Sequence, residues 1–343
     1  MSLSLMFFKR FLIAIPLALF LSSCSVVSNI ASTIVPVKVE HNVLSGREGA
    51  NGPVLVVKID DTNSARPQIA LEDADVVYIE QVEGGLTRLA AVFSSIIPTR
   101  VGPVRSARIS DIDIVRQYGH AAFAYSGAQR KLLPVIASAY LQNLGAQTQT
   151  STIYTTDPAR TPPYAMVLRA DLLMAKTIEK NYQIDSAKSV GWSFGDAPVG
   201  GKPTESVILH WPAARYGATW SAADSRWLLT HNSEINLAES GKVLGPSTLV
   251  IQMLSITPSE YHDKLGGVTP FSQTVGHGKG YILRDGKSYD AFWSRPTAEV
   301  GTSWTLADGS EIKFAPGQVW VALTDTEPDF TYVSASASPT KTK

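Results

Sequence analysis

Between Asp60 and Asp113 the chain carries its densest run of acids and arginines. The run opens with Lys58-Ile-Asp60-Asp61 and Ala65-Arg66-Pro67-Gln68. It continues through Tyr78-Ile-Glu80-Gln-Val-Glu83-Gly84-Gly85-Leu-Thr87-Arg88 and closes with Gly102-Pro103-Val-Arg105-Ser106-Ala-Arg108-Ile-Ser-Asp111. Two kinds of chemistry are open to such residues. Asp60, Glu80 or Glu83 could serve as general acid or base in a glycan or peptide hydrolase, which for glycosides needs two carboxyls ~5–10 Å apart. Arg66, Arg88, Arg105 and Arg108 could instead grip a carboxylate or phosphate, because a guanidinium offers a planar pair of donors. Arg105 and Arg108 are three apart, so on a helix they would share a face, with Ser106 beside them in a first turn whose N–H groups are free. Gly84-Gly85 permits a tight turn. The same residues would equally form a buried network in which Asp60, Glu80 and Glu83 neutralise Arg88, Arg105 and Arg108.

Strands and helices alternate around this run. Val54–Ile59, Val76–Ile79, Leu89–Phe93 and Ala121–Tyr125 are apolar runs suited to buried strands. Val104 to Tyr118 has Val104, Ala107, Ile112 and Val115 spaced for one helical face. Ser126 is placed to cap a helix carrying Leu132, Leu133, Ile136, Ala137 and Tyr140, with Pro134 positioned to shift or kink its start. Asp171–Lys180 is a further helix. Beyond about Gly200 the helical signal stops, and Val207–His210, Thr248–Met253, Gly280–Arg284, Ala291–Trp293 and Val319–Leu323 read as short strands. Asp285-Gly286 and Asp308-Gly309 mark tight hairpins. Six of the seven tryptophans fall in this half, where cross-strand packing accounts for them. The expected fold is α+β. An N-terminal mixed α/β domain at 51–190 precedes a smaller, mostly β domain at 200–327, with a disordered tail at 328–343.

The address is written at the N-terminus. Lys9 and Arg10 precede an apolar run from Phe11 to Leu21, and Leu21-Ser22-Ser23-Cys24 follows. That is a secretory signal peptide over 1–23, with its cleavage point before a thiol. Such a thiol is the site of lipidation in a bacterial lipobox. Residues 24–50 then read as a tether. The protein is expected to be held by lipid on the cell membrane or outer membrane, facing away from the cytoplasm. Two acyl chains suffice, since each buried methylene contributes ~0.8 kcal/mol.

Composition removes several function classes. Thirty basic residues balance thirty acidic ones, so no overall field draws nucleic acid. Cys24 is the only cysteine. Once it carries lipid, disulfides, cysteine-ligated zinc and thiolate nucleophiles drop out. The six histidines are scattered, so no metal or cofactor is expected. No Gly-x-Ser-x-Gly elbow is present. Gly276-His-Gly-Lys-Gly280 lacks the hydroxyl residue and helix of a P-loop, and is read as the entry to a strand.

The motifs together resemble the YerB-like bacterial lipoproteins, a two-domain family without an established biochemical function. The resemblance rests on Val57-Lys-Ile-Asp60, Ala65-Arg-Pro-Gln68, Ala74-Asp-Val-Val-Tyr78, Val82-Glu-Gly-Gly-Leu-Thr-Arg88, Val101-Gly-Pro-Val-Arg-Ser-Ala-Arg108 and Tyr125-Ser-Gly127. Gly276-His-Gly-Lys-Gly280, Phe292-Trp-Ser-Arg295 and Pro316-Gly-Gln-Val-Trp320 extend it into the second half. It implies a mixed α/β first domain and a β-rich second one on a lipid anchor. Two departures stand out: Asp60-Asp61 replaces the usual Asp-Asn, and Pro163-Tyr164-Ala165-Met166 replaces Pro-His-Asn-Leu. The expected function is binding of a cell-wall component or protein partner through Asp60, Arg66, Glu80, Glu83, Arg88, Arg105, Ser106 and Arg108. The alternative is the hydrolase.

Overall fold

The computed structural model describes residues 39–334. The expected signal peptide, Cys24, the first part of the expected tether and residues 335–343 lie outside the described residues. The first half begins with β1 (Leu55–Asp60), buried along its whole length as a strand covered on both faces must be. β2 (Val76–Gln81) and β3 (Thr87–Phe93) follow, with β3 lying between β1 and β2 and antiparallel to both. After β4 (Arg100–Val101) and helix α1 (Ser110–Arg116), β5 (Ala122–Ala124) adds parallel to β1. Helix α2 (Leu132–Ser138) leads to β6 (Gln142–Asn143), the edge of the sheet. β7 (Tyr154–Thr156) and β8 (Met166–Arg169) form a small sheet with β4, and α3 (Ala170–Glu179) follows.

No described residue beyond Glu179 is helical. β9 (Lys202–Trp211), β10 (Ala214–Ser221), β11 (Arg226–His231) and β12 (Glu234–Ile235) form an antiparallel meander. β13 (Thr248–Met253) is followed by the hairpin of β14 (Ile256–His262) and β15 (Val268–Ser272). β16 (Gly276–Arg284) and β17 (Lys287–Arg295) turn at Asp285-Gly286, both in the left-handed region. β18 (Ser303–Thr305), β19 (Val319–Thr324) and β20 (Asp329–Tyr332) complete the chain.

One connection matters most for the site. β19 pairs in parallel with both β13 and β2. The sheet therefore passes without a break from the second half of the sequence into the first, fifteen strands in all. Its faces carry separate cores. Val57, Ile59, Ile79 and Leu89 pack with Tyr216, Trp227 and Trp320 on one. Val56, Tyr78, Ala90 and Val92 pack with Tyr118, Phe123 and Trp304 on the other. Trp220 faces Trp227 and Trp293 faces Trp304 across paired strands, so these tryptophans are packing residues. Gly278 and Gly280 make room for them: a Cβ on Gly280 would meet Ile251 O at 2.3 Å and the Trp304 ring at 2.9 Å.

Several expectations change. Leu44 is fully buried, and Asn42, Val43 and Leu44 are tied by hydrogen bonds to Asn51 and to one another. The packed body thus begins well before residue 51. The expected tail starts later too, because Asp329–Tyr332 pairs with β9. Ser126 does not cap α2, which begins at Leu132 with Pro134 in its first turn, where the missing N–H costs nothing. The helix expected from Val104 is confined to Ser110–Arg116.

Candidate functional site

Register brings three of the predicted residues side by side. Arg88 on β3 stands opposite Asp60 on β1 and opposite Glu80 on β2. Directly opposed residues share a face, and so does Lys58, two positions from Asp60. Lys58 Nζ pairs with Glu80 and lies 2.9 Å from Asp111 Oδ1, with all three side chains fully buried. Burial, and then the charge of Asp111, push the Glu80 carboxyl up to about 7, against the pull of Lys58. Glu80 Oε2 has no partner among the described residues. Lys58 and Asp111 were absent from the sequence-derived candidates. A lysine inside an otherwise apolar strand was the signal that could have found them.

Arg105 and Arg108 do not share a helical face. Residues 102–105 are extended, held by Asp60 N–H to Pro103 O (2.9 Å), Arg105 N–H to Lys58 O (2.8 Å) and Val104 N–H to Met166 O (2.8 Å). The two side chains then diverge. Arg105 Nε donates to Asp60 Oδ2 at 2.5 Å. Arg108 donates from Nε and Nη2 to Glu83 Oε2 at 2.8 and 2.6 Å. Burial alone would raise Glu83, but Arg108 and Thr269 outweigh it and hold this carboxyl below its ordinary value. Of the three predicted acids, Glu80 is sealed in and Asp60 and Glu83 are each committed to an arginine. A hydrolase using them would first have to break a buried ion pair.

Arg88 is different. Its Nη1 donates to Ser106 O at 3.0 Å, and Arg108 Nη1 reaches the same oxygen at 3.4 Å, so Ser106 contributes its carbonyl and draws two guanidinium groups together. Among the described residues no carboxylate lies within ion-pair distance of Arg88. Burial, then the charges of Arg108 and Arg105, push it down to about 10. Lys58 takes two of the four carboxylates on this face and Arg105 and Arg108 one each, and Arg88 is the cation without one.

Arg66 belongs to a second cluster on the opposite face of the sheet. It pairs with Asp61 and donates to Asn236 and, at 3.2 Å, to Tyr216 Oη. Asp61 also accepts from Tyr216 Oη (2.7 Å) and Thr87 Oγ1 (2.6 Å). Arg66 further lines a surface groove of about 580 Å³ with Pro67, Asp157, Arg160, Tyr164 and Glu239. The Arg105 guanidinium sits 5.7 Å from the centre of the Tyr164 ring. Tyr164, one of the departures noted in the sequence, is therefore the link between the arginine cluster and the groove. No group of three or more His, Cys, Asp or Glu side chains among the described residues could hold a metal ion.

Comparison with known proteins fits this architecture. Residues 43–183 match the profile described as "Protein of unknown function (DUF3048) N-terminal domain", and residues 207–321 match the corresponding C-terminal domain. A curated relative, "Putative lipoprotein YerB" of Bacillus subtilis (strain 168), is 23% identical over 285 residues, covering 79% of this chain and 80% of the relative. The crystal structure of YerB from Bacillus subtilis superposes with a TM-score of 0.74 at 18% identity, covering 85% of this chain and 99% of that one. That likeness shows the fold. The unbroken sheet crossing both matched regions is thus the scaffold of a recognised two-part family, and the chain belongs to the DUF3048 family of proteins of unknown function.

Proposed function

We propose that this protein is a lipid-anchored, extracytoplasmic binding protein that holds an anionic group, a carboxylate or phosphate, of a cell-envelope component or protein partner at Arg88. The observation that carries the reading is the uneven pairing: Arg105 and Arg108 each have a carboxylate, Lys58 has two, and Arg88 has only a carbonyl oxygen. A part-buried guanidinium crowded by two like charges gains more from an arriving anion than an exposed one does, because the surroundings screen the attraction less. Arg105 and Tyr164 extend the surface into the neighbouring groove, where the rest of a larger ligand would lie. The anchor rests on Cys24 and on the name of the curated relative.

The test is retention on purified envelope. Full-length protein, Arg88→Gln and Arg88→Lys are incubated with washed cell-wall and membrane fractions and sedimented. Retention lost in Arg88→Gln and partly kept in Arg88→Lys supports the reading. Equal retention of wild type and Arg88→Gln overturns it.

A further inference from the structure

On the other face of the sheet a small, partly open cavity of about 180 Å³ lies where the first and second halves of the chain meet. Asp61, Thr62, Asn63 and Thr87 line it from one side, His231 and Asn232 from the other. His231 ends β11 opposite Tyr216, whose ring meets the imidazole edge-on at 5.0 Å. The two-residue turn Asn232-Ser233, left-handed at both positions, points the chain back into β12.

The two threonine hydroxyls of this wall have spent their protons elsewhere. Thr62 Oγ1 donates to Asp60 Oδ1 at 2.7 Å, and Thr87 Oγ1 donates to Asp61 Oδ2 at 2.6 Å. Each hydroxyl has a single proton, so both are left with lone pairs only. His231 Nδ1–H donates to Asn63 Oδ1 at 3.1 Å, which leaves Nε2 as an acceptor. The His231 side chain is 3% exposed, and Nε2 has no partner, facing Asp61 Oδ2 at 3.8 Å. Two acceptors facing each other at that distance call for a donor between them, and a buried polar atom without one is destabilising.

We propose that this cavity binds a primary ammonium group, the charged end of an aminoalkyl side chain. Three N–H donors on one nitrogen answer the lone pairs of His231, Thr62 and Thr87. Burial holds the His231 imidazole down to about 4, so it stays neutral and Nε2 accepts, while Asp61, itself paired with Arg66, places a carboxylate oxygen 3.8 Å away. At ~30 Å³ per water, the volume takes about six water molecules, enough for an ammonium with a short alkyl stem. The site is independent of Arg88 and stands or falls separately.

The experiment titrates full-length protein, labelled with ¹⁵N-histidine, with ethylammonium and then with tetramethylammonium, which has the charge and no N–H. The His231 resonance is identified by its loss in His231→Gln. Ethylammonium should move the Nε2 signal of His231 saturably at about millimolar concentration, the ceiling for so small a ligand. Tetramethylammonium should not move it. Thr62→Val, whose melting temperature is checked alongside, should weaken ethylammonium at least about tenfold. Equal responses to both ions, or no response in the wild type, overturn the proposal. A shift produced by zinc and not by ethylammonium would also overturn it, in favour of a metal site.

Discussion

Arg88 should be a residue the fold does not need. Its side chain is pushed down to about 10, which at ~1.36 kcal/mol per pH unit corresponds to about 3 kcal/mol of disfavoured charge. Part of the guanidinium meets water, so screening reduces this to about 2 kcal/mol. The penalty is present at every pH below about 10, because the folded state disfavours the proton that Arg88 carries there. Arg88→Met removes the penalty and also removes one charged hydrogen bond to Ser106 O, worth about 1.5–3 kcal/mol. The two nearly cancel. Arg108→Met is the matched control, since it leaves the part-buried Glu83 without its partner and should cost about 3–5 kcal/mol. At ~2 °C per kcal/mol for a chain of this size, thermal unfolding should place Arg88→Met within a few degrees of the wild type and Arg108→Met about 6–10 °C lower. If Arg88→Met falls as far as Arg108→Met, Arg88 is a structural ion-network member and the binding argument built on it is wrong.

Other consequences can be checked by similar means. Glu80 is raised to about 7, so its contribution is present below the unfolded value and is lost as pH climbs through 7. Glu80 alone should remove about 2–3 kcal/mol between pH 4.5 and 8, while His231, held down to about 4 by burial, returns a similar amount as pH rises. The wild type should stay nearly level, and Glu80→Gln should gain about 2–3 kcal/mol with pH in denaturant melts across the range. Leu44→Ala should destabilise by about 2–5 kcal/mol, whereas a tether residue would give none. Gly280→Ala should cost about 1–3 kcal/mol or more by forcing a methyl against Ile251 O, while Gly84→Ala, with open space around it and φ of 68°, should cost about 1 kcal/mol. Cys24→Ser should abolish metabolic labelling with radioactive palmitate and release the protein from membranes into the soluble fraction.

Much of the strand framework was legible because it depends on local pattern. Leu55–Ile59 and Thr248–Met253 are continuous apolar runs, and Asp285-Gly286 is a turn dipeptide. The clustering of Asp60, Glu80 and Arg88 follows from strand ends lying side by side. What failed was the helix from Val104. Its periodicity is real, but hydrogen bonds from residues 102–105 to Lys58 and Met166 outcompete the local preference, and Arg105 and Arg108 are sent to different carboxylates. The Asp61 cluster was beyond reach for another reason. Tyr216 and His231 come from strands about 150 residues downstream, without a motif, and only the parallel pairing of β19 with β2 brings that half of the chain alongside. Asn232-Ser233 also hid the hairpin, since neither residue is the glycine that turn chemistry favours.

The central claim is that Arg88 is an anion-binding group. Calorimetric titration of inorganic phosphate into full-length protein in detergent, at low and high salt, tests it most directly. Saturable binding that weakens with salt, falls at least about tenfold in Arg88→Gln and partly returns in Arg88→Lys is the predicted result. A wild type that binds no phosphate at low salt, or an Arg88→Gln variant that binds it equally well, would contradict the account.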